Sequence, residues 1–445
     1  MDSVPKSFNP NRRLKEEFVS NLTGSSMLEI AAITTIIPAL FLLRRAVGFN
    51  RPADDVTLKK NDDAKVGSKS WQAYMARLAV DFLFIMVPFV LIFTVLSEWM
   101  YIWATLLILL LVFSIAARSF GFGSTLEEEP DSIRTSITSF RVATMMLTCI
   151  CILAVDFTIF PRRYAKTETY GTGWMDLGVG SFVVANSFVS RQARNLSWTK
   201  WKTAIQSTSP LIILGFVRLL STAGLDYQHH AAEYGVHWNF FFTLAAISFL
   251  TSIINVPARY SGILGALILV GYEGWLMQGL NTYLLSNERG SDIISQNKEG
   301  FFSIFGYWSM YLIGVQVGNF LFFSNHSSAT TRSHKWTRNR AAMLSLLFWY
   351  SLLPRHVVKL MLGMAIVLFS DCFPGSKTSV LEEAYNHNLL AIFLLANLLT
   401  GVVNFLVDTL FASSVKALSV MIAYAFTLTF IPGLLDFCGI RFRFW

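Results

Sequence analysis

Asp156 and Lys166, ten positions apart, are the residues whose types and spacing best suit acid–base chemistry. Asp156 closes an apolar run, and we expect its helix to stop just before Pro161, because proline lacks the N–H that a helix needs. A carboxylate at a helix C-terminus faces the negative end of the helix dipole. Such a residue is unfavourable unless a cation meets it or a reaction needs a base there.

Arg162 and Arg163 lie between these two residues. Arginine matches the geometry of phosphate, whereas lysine is a compact charge that can polarise a carbonyl. Two interpretations remain open at this point. The stretch is either a carboxylate base beside cations that hold an anionic head group, or an interfacial anchor with one Asp–Lys or Asp–Arg ion pair.

A second polar stretch covers residues 225–242 and precedes or opens another apolar run. His229, Glu233 and His237 repeat every four residues, so they share one face if the segment is helical. No cysteine or compact second carboxylate completes a metal site, and we predict none. His237 as a general base is an alternative to a substrate-binding wall. The residues predicted to bind substrate here are Glu233, His237, Trp238 and Asn239.

The elements that position these residues must be membrane helices. The 445 residues are 53% hydrophobic and only 14% charged, whereas soluble domains carry about 25% charged residues. This composition excludes nucleic-acid binding, disulfide scaffolds and disorder. The net charge of +8 fits basic cytosolic loops beside anionic lipid. The four cysteines adjoin apolar runs, and we predict that all are reduced core residues: Cys149, Cys151, Cys372 and Cys438.

Apolar runs long enough to cross a bilayer, at about 20 residues each, predict the fold. We expect an all-α polytopic membrane protein with about thirteen transmembrane helices in one bundle, forming a single domain over residues 1–445. The two short runs that flank Pro354 are either two tilted helices or one re-entrant hairpin. The runs are 27–43, 78–96, 99–117, 141–160, 172–190, 209–224, 237–256, 261–278, 300–323, 341–353, 356–370, 388–407 and 415–435.

The distribution of lysine and arginine predicts the orientation, because basic residues collect on the cytosolic side. It favours a non-cytosolic N-terminus, with a polar segment at 1–26, and a cytosolic C-terminus. The cytosolic loops then lie near 44–77, 118–140 and 324–340. Polar residues inside the late apolar helix are expected to make interhelical hydrogen bonds; these are Asn397, Asn404 and Asp408.

Three sequence runs carry a resemblance to a known family: AVDFTIFPRRYAKTETYGTGWMDLGVGSFV, HHAAEYGVHWNFFFTL and KEGFFSIFGYWSMYL. They are similar to the inositol acyltransferases of glycosylphosphatidylinositol (GPI) anchor synthesis. The resemblance begins at KEEFVSNLTGSSMLEI and recurs to LLANLLTGVVN, so it covers most of the chain. The loops at 44–77 and 324–340 match poorly.

The resemblance implies a multispanning enzyme of the endoplasmic reticulum, with a luminal N-terminus on the orientation above. Such an enzyme moves a fatty acyl chain, usually palmitoyl, from acyl-CoA to an inositol hydroxyl of glucosaminyl-phosphatidylinositol. The family's functional aspartate and lysine fall on Asp156 and Lys166. The implied partners are acyl-CoA as co-substrate, the glycolipid and the bilayer, with no further cofactor and no nucleic acid. The sequence identifies no protein partner.

The mechanism that these residues suggest is direct acyl transfer. Asp156 takes the inositol proton, Lys166 sets the charge of Asp156 or polarises the thioester carbonyl, and Arg162 and Arg163 hold a phosphate. No acyl-enzyme is needed, because a thioester is already activated.

Two rival hypotheses remain. One makes His237 the base, as in the membrane-bound O-acyltransferases. The other is a transporter or lipid scramblase that uses Asp156 and Glu273 as an ion relay, although the inverted repeats typical of transporters are not visible.

Overall fold

Apart from one isolated β-bridge, the regular secondary structure is helical in the part of the chain that the computed structural model describes. That part comprises residues 14, 17, 18, 20, 22–46, 71–120, 132–167, 171–196, 201–223, 234–286, 288–320 and 378–442.

Twelve helices, numbered here in chain order, make up most of the described residues. They are α1 Met27–Ala46, α2 Trp71–Phe93, α3 Met100–Phe120, α4 Ser132–Ala154, α5 Trp174–Phe188, α6 Trp201–Ala223, α7 Phe240–Ile254, α8 Ala258–Leu285, α9 Lys298–Gly318, α10 Val380–His387, α11 Leu389–Leu406 and α12 Ser414–Phe437. A π-helical turn interrupts α2 at Phe82–Met86 and α8 at Leu276–Leu280.

The helices confirm the predicted class, an all-α polytopic membrane protein. Nine helices among the described residues are long and apolar enough to cross a membrane, whereas α5 and α7 have 15 residues each. Every predicted span coincides with a helix except 341–353 and 356–370, which lie outside the described residues together with the loop at 324–340. The total of thirteen spans therefore stays a prediction.

The chain divides into two compact units. Unit A comprises Met1–Gly24, Ala165–Ser333 and Phe444–Trp445, and unit B comprises Ser25–Tyr164 and His334–Arg443. The described helices α5–α9 thus belong to unit A, and α1–α4 with α10–α12 belong to unit B. Each unit has its own helix packing, and the single domain predicted for residues 1–445 remains a prediction.

Unit A is held by close helix contacts at small residues. Helix α9 packs against α8, α5 and α7, and α7 packs against α6. Gly314 and Gly318 of α9 lie directly against Ser187 and Phe188 of α5, as small residues allow between membrane helices. Trp308 adds a hydrogen bond of 3.1 Å from its Nε1 to the Thr251 hydroxyl of α7.

Unit B contains buried ion pairs at the end of α1. The Arg44 guanidinium donates to Asp81 at 2.7 Å, and Arg45 donates to Glu382 of α10 at 2.6 Å. All four side chains are almost completely buried. Helix α10 was not among the predicted elements, because its eight residues form a short amphipathic helix rather than an apolar run. It packs against α2, α4 and α12.

Two of the cysteines agree with the predicted core positions. Cys149 and Cys151 of α4 are free and buried, whereas Cys438 is free and exposed. The prediction of a core position for Cys438 was wrong, because this residue directly follows the last residue of α12 and is exposed. Cys372 lies outside the described residues.

Candidate active site

The segment that carries Asp156 is a series of tight turns rather than the end of a helix. Helix α4 ends at Ala154, and the backbone N–H of Asp156 donates to the Leu153 carbonyl at 3.1 Å. Phe157 and Phe160 continue the pattern with bonds to carbonyls three residues earlier. The prediction that the helix reaches the residue before Pro161 was wrong. From Asp156 onward these backbone N–H groups bond to carbonyls three residues earlier, whereas an α-helix bonds to the carbonyl four residues earlier.

Arg162 holds this turn together. Its Nη2 donates to the carbonyls of Val155 at 2.8 Å, Phe157 at 3.3 Å and Phe160 at 3.2 Å. Carbonyls at a helix end have no intrahelical donor, so a cation there is favourable. Burial lowers the pKa of Arg162 to about 10, and the Asp156 carboxylate opposes this decrease. The side chain therefore remains protonated at neutral pH.

The Asp156 carboxylate meets an amide from the other half of the sequence. Asn404, in the last turn of α11, donates from Nδ2 to Asp156 Oδ2 at 2.7 Å. Asn404 thus bonds to another segment as expected, although its partner lies on the turn after α4 and not on a helix. The same expectation was wrong for Asn397, which donates to the Phe393 carbonyl of its own helix, and Asp408 lies beyond the end of α11. An amide inside an apolar helix had marked Asn404 in the sequence as a hydrogen-bonding residue. That pattern could not identify Asp156 as its partner.

Arg163 is an ion-pair residue in this structure. Its Nε donates to Glu29 and its Nη1 donates to Glu98, both at 2.8 Å. Burial alone would lower the pKa of Arg163, but the hydrogen bonds to Glu29 and Glu98 outweigh it and raise the pKa above its usual value. The Tyr164 hydroxyl also donates to Glu29, at 2.7 Å. The two carboxylates balance the positive charge of Arg163.

Lys166 lies in unit A, on a loop that is closed by one carboxylate. Its Nζ lies 5.8 Å from the centre of the Tyr234 ring, and it interacts electrostatically with Asp176. Asp176 Oδ2 accepts hydrogen bonds from the Gly173 N–H at 2.7 Å and from the Thr167 hydroxyl at 2.9 Å. Asp176 therefore joins both ends of the loop to the first turn of α5.

The same loop is held by the N-terminal segment. Gly24 and Thr172 form a parallel β-bridge. Gly24 and Gly171 have φ angles of +80° and +108°, which L side chains rarely adopt. Gly173 lies against the Ala165 carbonyl, and a Cβ at Gly173 would overlap that oxygen. The loop conformation thus depends on glycine at these positions.

The second predicted stretch has mainly structural contacts in the residues that the structure describes. Asn239 caps α7 by accepting from the Phe241 N–H at 3.1 Å, and its Nδ2 donates to the Gly215 carbonyl at 2.9 Å. Trp238 Nε1 donates to the Thr243 hydroxyl at 2.9 Å. His237 is exposed, and its backbone N–H donates to Asn297 at 2.7 Å. Glu233 lies outside the described residues.

A polar loop between α8 and α9 packs against this stretch. Gly235, with φ of +98°, lies against the backbone of Asn297, and Gly300 contacts the Trp238 ring. Lys298 is completely buried, and its Nζ donates to three carbonyls and one hydroxyl at the end of α8, over distances of 2.6–3.2 Å. This lysine serves as a helix C-cap.

Asp156 and Lys166, predicted as a pair, belong to different units: Asp156 to unit B and Lys166 to unit A. Their partnership stays a prediction and enters the proposed function as one. Among the residues that the structure describes, no group of three or more His, Cys, Asp or Glu side chains is placed to hold a metal ion.

The fold and this site define a multi-pass, all-α membrane protein with a hydrogen-bonded carboxylate just beyond the end of one helix. The family model described as GWT1 matches residues 11–366 and 360–435. The chain belongs to the GWT1 family, and the family predicted from the sequence motifs is thereby confirmed.

Relatives match over nearly their whole length. The chain is 51% identical to an uncharacterised protein of Arabidopsis thaliana, with 91% of this chain and 98% of the relative covered. It is 31% identical to the phosphatidylinositol-glycan biosynthesis class W protein of Dictyostelium discoideum, covering 97% and 98% of the two chains. It is 32% identical to the GPI-anchored wall transfer protein 1 of Emericella nidulans, covering 93% and 95%.

Proposed function

We propose that this protein is an inositol acyltransferase of GPI-anchor biosynthesis. It moves a fatty acyl chain, palmitoyl in our proposal, from acyl-CoA to an inositol hydroxyl of glucosaminyl-phosphatidylinositol. Membership of the GWT1 family and the names of its relatives support the pathway. We place the enzyme in the membrane of the endoplasmic reticulum, with a luminal N-terminus and a cytosolic C-terminus.

The observation that carries the proposal is the Asp156 carboxylate, fixed beyond the end of α4 by the Asn404 amide. Acyl transfer to an alcohol needs a base for the hydroxyl proton and a positive group for the developing oxyanion. In the proposal, Asp156 accepts the inositol proton as the hydroxyl oxygen attacks the thioester carbon. The C–S bond breaks, and the CoA thiolate leaves and takes the proton. Lys166 stabilises the oxyanion.

The transfer needs no acylated enzyme residue in this proposal. A thioester is already activated, so the inositol oxygen can attack it directly. Cys149 and Cys151 are buried inside α4, and burial in apolar surroundings makes a thiol a poor nucleophile.

The two arginines take different roles. Arg162 is committed to three carbonyls around Asp156, which supports a role in shaping the turn. Arg163 remains the candidate for the inositol phosphate. Its partner Glu98 is 72% exposed, so a phosphate can replace that carboxylate while the bond to Glu29 persists.

The second stretch contributes less to the proposal than the sequence suggested. His237 is exposed and remains a candidate for contacting the sugar, as does Glu233. Trp238 and Asn239 use their polar atoms within the protein. We therefore propose that these two residues shape the region around Lys166 rather than bind the substrate directly.

The test is incorporation of labelled acyl-CoA into the glycolipid by membranes that contain the protein. Asp156→Asn and Lys166→Ala should each lower the rate by about 100-fold or more, the usual effect of losing acid–base catalysis, at unchanged protein level. Glu383→Gln is the matched carboxylate-to-amide control, since Glu383 is exposed on α10. Activity retained by both site variants would refute the assignment.

The same assay separates the rival hypotheses. Solute flux without acyl incorporation would indicate a transporter, for which Asp156 and the exposed Glu273 were the candidate relay. Loss of turnover in His237→Ala, with activity kept in Asp156→Asn, would indicate a histidine base.

A further inference from the structure

We infer that Asn404 is a positioning residue that fixes the Asp156 carboxylate for proton transfer. This inference rests on the proposed function and deepens it, because it assigns a positioning role to a residue for which the sequence predicted only a hydrogen bond between helices.

The contact is direct and connects distant parts of the sequence. Asn404 Nδ2 lies 2.7 Å from Asp156 Oδ2, although the two residues are 248 positions apart in the sequence. Both side chains are half-buried within unit B. A hydrogen bond to an ionised carboxylate is shorter and stronger than one between neutral groups. This bond therefore restricts the carboxylate to one orientation.

The orientation of the Asn404 amide is itself determined by its neighbours. Its Nδ2 donates a second bond to the Thr400 carbonyl at 3.2 Å, and its Oδ1 accepts from the Thr409 hydroxyl at 3.4 Å. Thr400 and Thr409 are buried, with 3% and 1% of their surfaces exposed. Because a hydroxyl and a carbonyl bracket the amide, its nitrogen faces Asp156.

Arg162 fixes the backbone around Asp156. Arg162 binds the carbonyls of Val155 and Phe157, the residues immediately before and after Asp156. Arg162 therefore sets where the residue sits, and Asn404 sets where its carboxylate points. Such double support is what a general base requires, because a displacement of about 1 Å can reduce the rate 100-fold.

A neutral donor suits a base better than a second cation would. It stabilises the ionised carboxylate without adding a full positive charge, which would make the carboxylate a weaker base. Arg162, from its own loop, and Tyr424, from α12, are among the charged or titratable groups that act on Asp156. Helix α11 presents the neutral Asn404 to it.

The experiment measures kcat, KM and the pH profile of acyl transfer for Asn404→Ala. We expect kcat to fall by about 10- to 100-fold, the effect of losing a hydrogen bond to a charged group, with KM for both substrates unchanged within about twofold. The acid limb of the profile should move to higher pH, because the ionised carboxylate loses a donor. A merely structural role would not move this limb.

Asn397→Ala is the matched control. Asn397 lies on the same helix and is also half-buried, but its Nδ2 donates to the Phe393 carbonyl of its own helix at 2.8 Å. This variant should keep the kcat and the pH profile of the wild type. If Asn404→Ala fails to accumulate, Asn404→Asp takes its place: it preserves the side-chain volume, removes the donor and should lose at least as much kcat.

The outcomes separate this inference from the proposed function. Wild-type kcat and pH profile in both Asn404 variants, with Asp156→Asn inactive, would overturn the inference alone. Activity in Asp156→Asn would overturn both. Loss of kcat in Asp156→Asn that grows further in the double variant with Asn404→Ala would also contradict the inference, because a residue that acts through Asp156 cannot add to its loss.

Discussion

Removal of the Glu382 carboxylate should destabilise unit B strongly. Its Oε1 accepts from Arg45 and from the Ser139 hydroxyl, both at 2.6 Å, and its Oε2 accepts from the Ser379 N–H at 2.9 Å. Glu382 is 0% exposed and Arg45 is 6% exposed. Glu382→Ala therefore removes one acceptor each from a buried guanidinium, a hydroxyl and a backbone N–H.

The magnitude follows from the cost of breaking a buried ion pair. Breaking a buried pair by removing one partner costs about 3–5 kcal/mol. For a chain of this size we take about 2 °C per kcal/mol, which gives a fall in Tm of about 6–10 °C. Alanine favours a helix at least as well as glutamate does, so the loss comes from the charge network and from the capping bond to the Ser379 N–H, and not from helix propensity.

The assay is thermal unfolding of the purified protein in detergent, with Glu383→Ala as the control. Glu383 is the adjacent residue, but it is exposed, and it accepts from the Thr378 hydroxyl at 3.0 Å. The control should change the Tm by no more than about 1 °C, as expected for a surface group. Equal Tm values for the two variants would refute the reasoning, since only Glu382 is buried and paired with Arg45.

Three further predictions concern the site. Gly173→Ala should lower the rate of acyl transfer at least about tenfold, because the new Cβ overlaps a backbone carbonyl in the loop of Lys166. The control Gly274→Ala should be neutral, because nothing lies within 4 Å of its new Cβ. Equal rates in the two variants would contradict this prediction. Arg163→Gln should raise the KM for the glycolipid. Glu98→Gln, which removes the carboxylate that binds Arg163 Nη1, should not raise it. Measuring the rate as a function of glycolipid concentration tests both variants. His237→Ala should keep kcat within about threefold, because its exposed side chain is not the proposed base; a loss of 100-fold would restore the histidine hypothesis.

The helices could be predicted because each is an apolar run of sufficient length. The composition and the spacing of those runs gave the positions of α1, α9 and α12 to within a few residues. The end of α4 could not be predicted in the same way. It depends on bonds from the Arg162 side chain to nearby carbonyls, and a sequence pattern does not show which arginine turns back to its own backbone.

The candidate site was predictable in its residues but not in its contacts. Asp156 stands out because a carboxylate beside an apolar run is costly. Its partner Asn404 is 248 residues away, and only the packing of the turn after α4 against α11 brings the two together. Asn239 was predicted to bind substrate as part of the polar stretch at 225–242, yet both ends of its amide are used to cap α7 and to bind α6.

The β-bridge between Gly24 and Thr172 affects how the protein can be handled. Residues just before the first membrane helix are a common place for an epitope tag or a truncation, because they are treated as a dispensable tail. Here Gly24 of that tail is bridged to Thr172 of the loop that begins at Lys166. Gly24 and the neighbouring Gly171 both have a backbone conformation that does not tolerate a side chain. Fusions intended to leave the enzyme undisturbed therefore belong well upstream of residue 22.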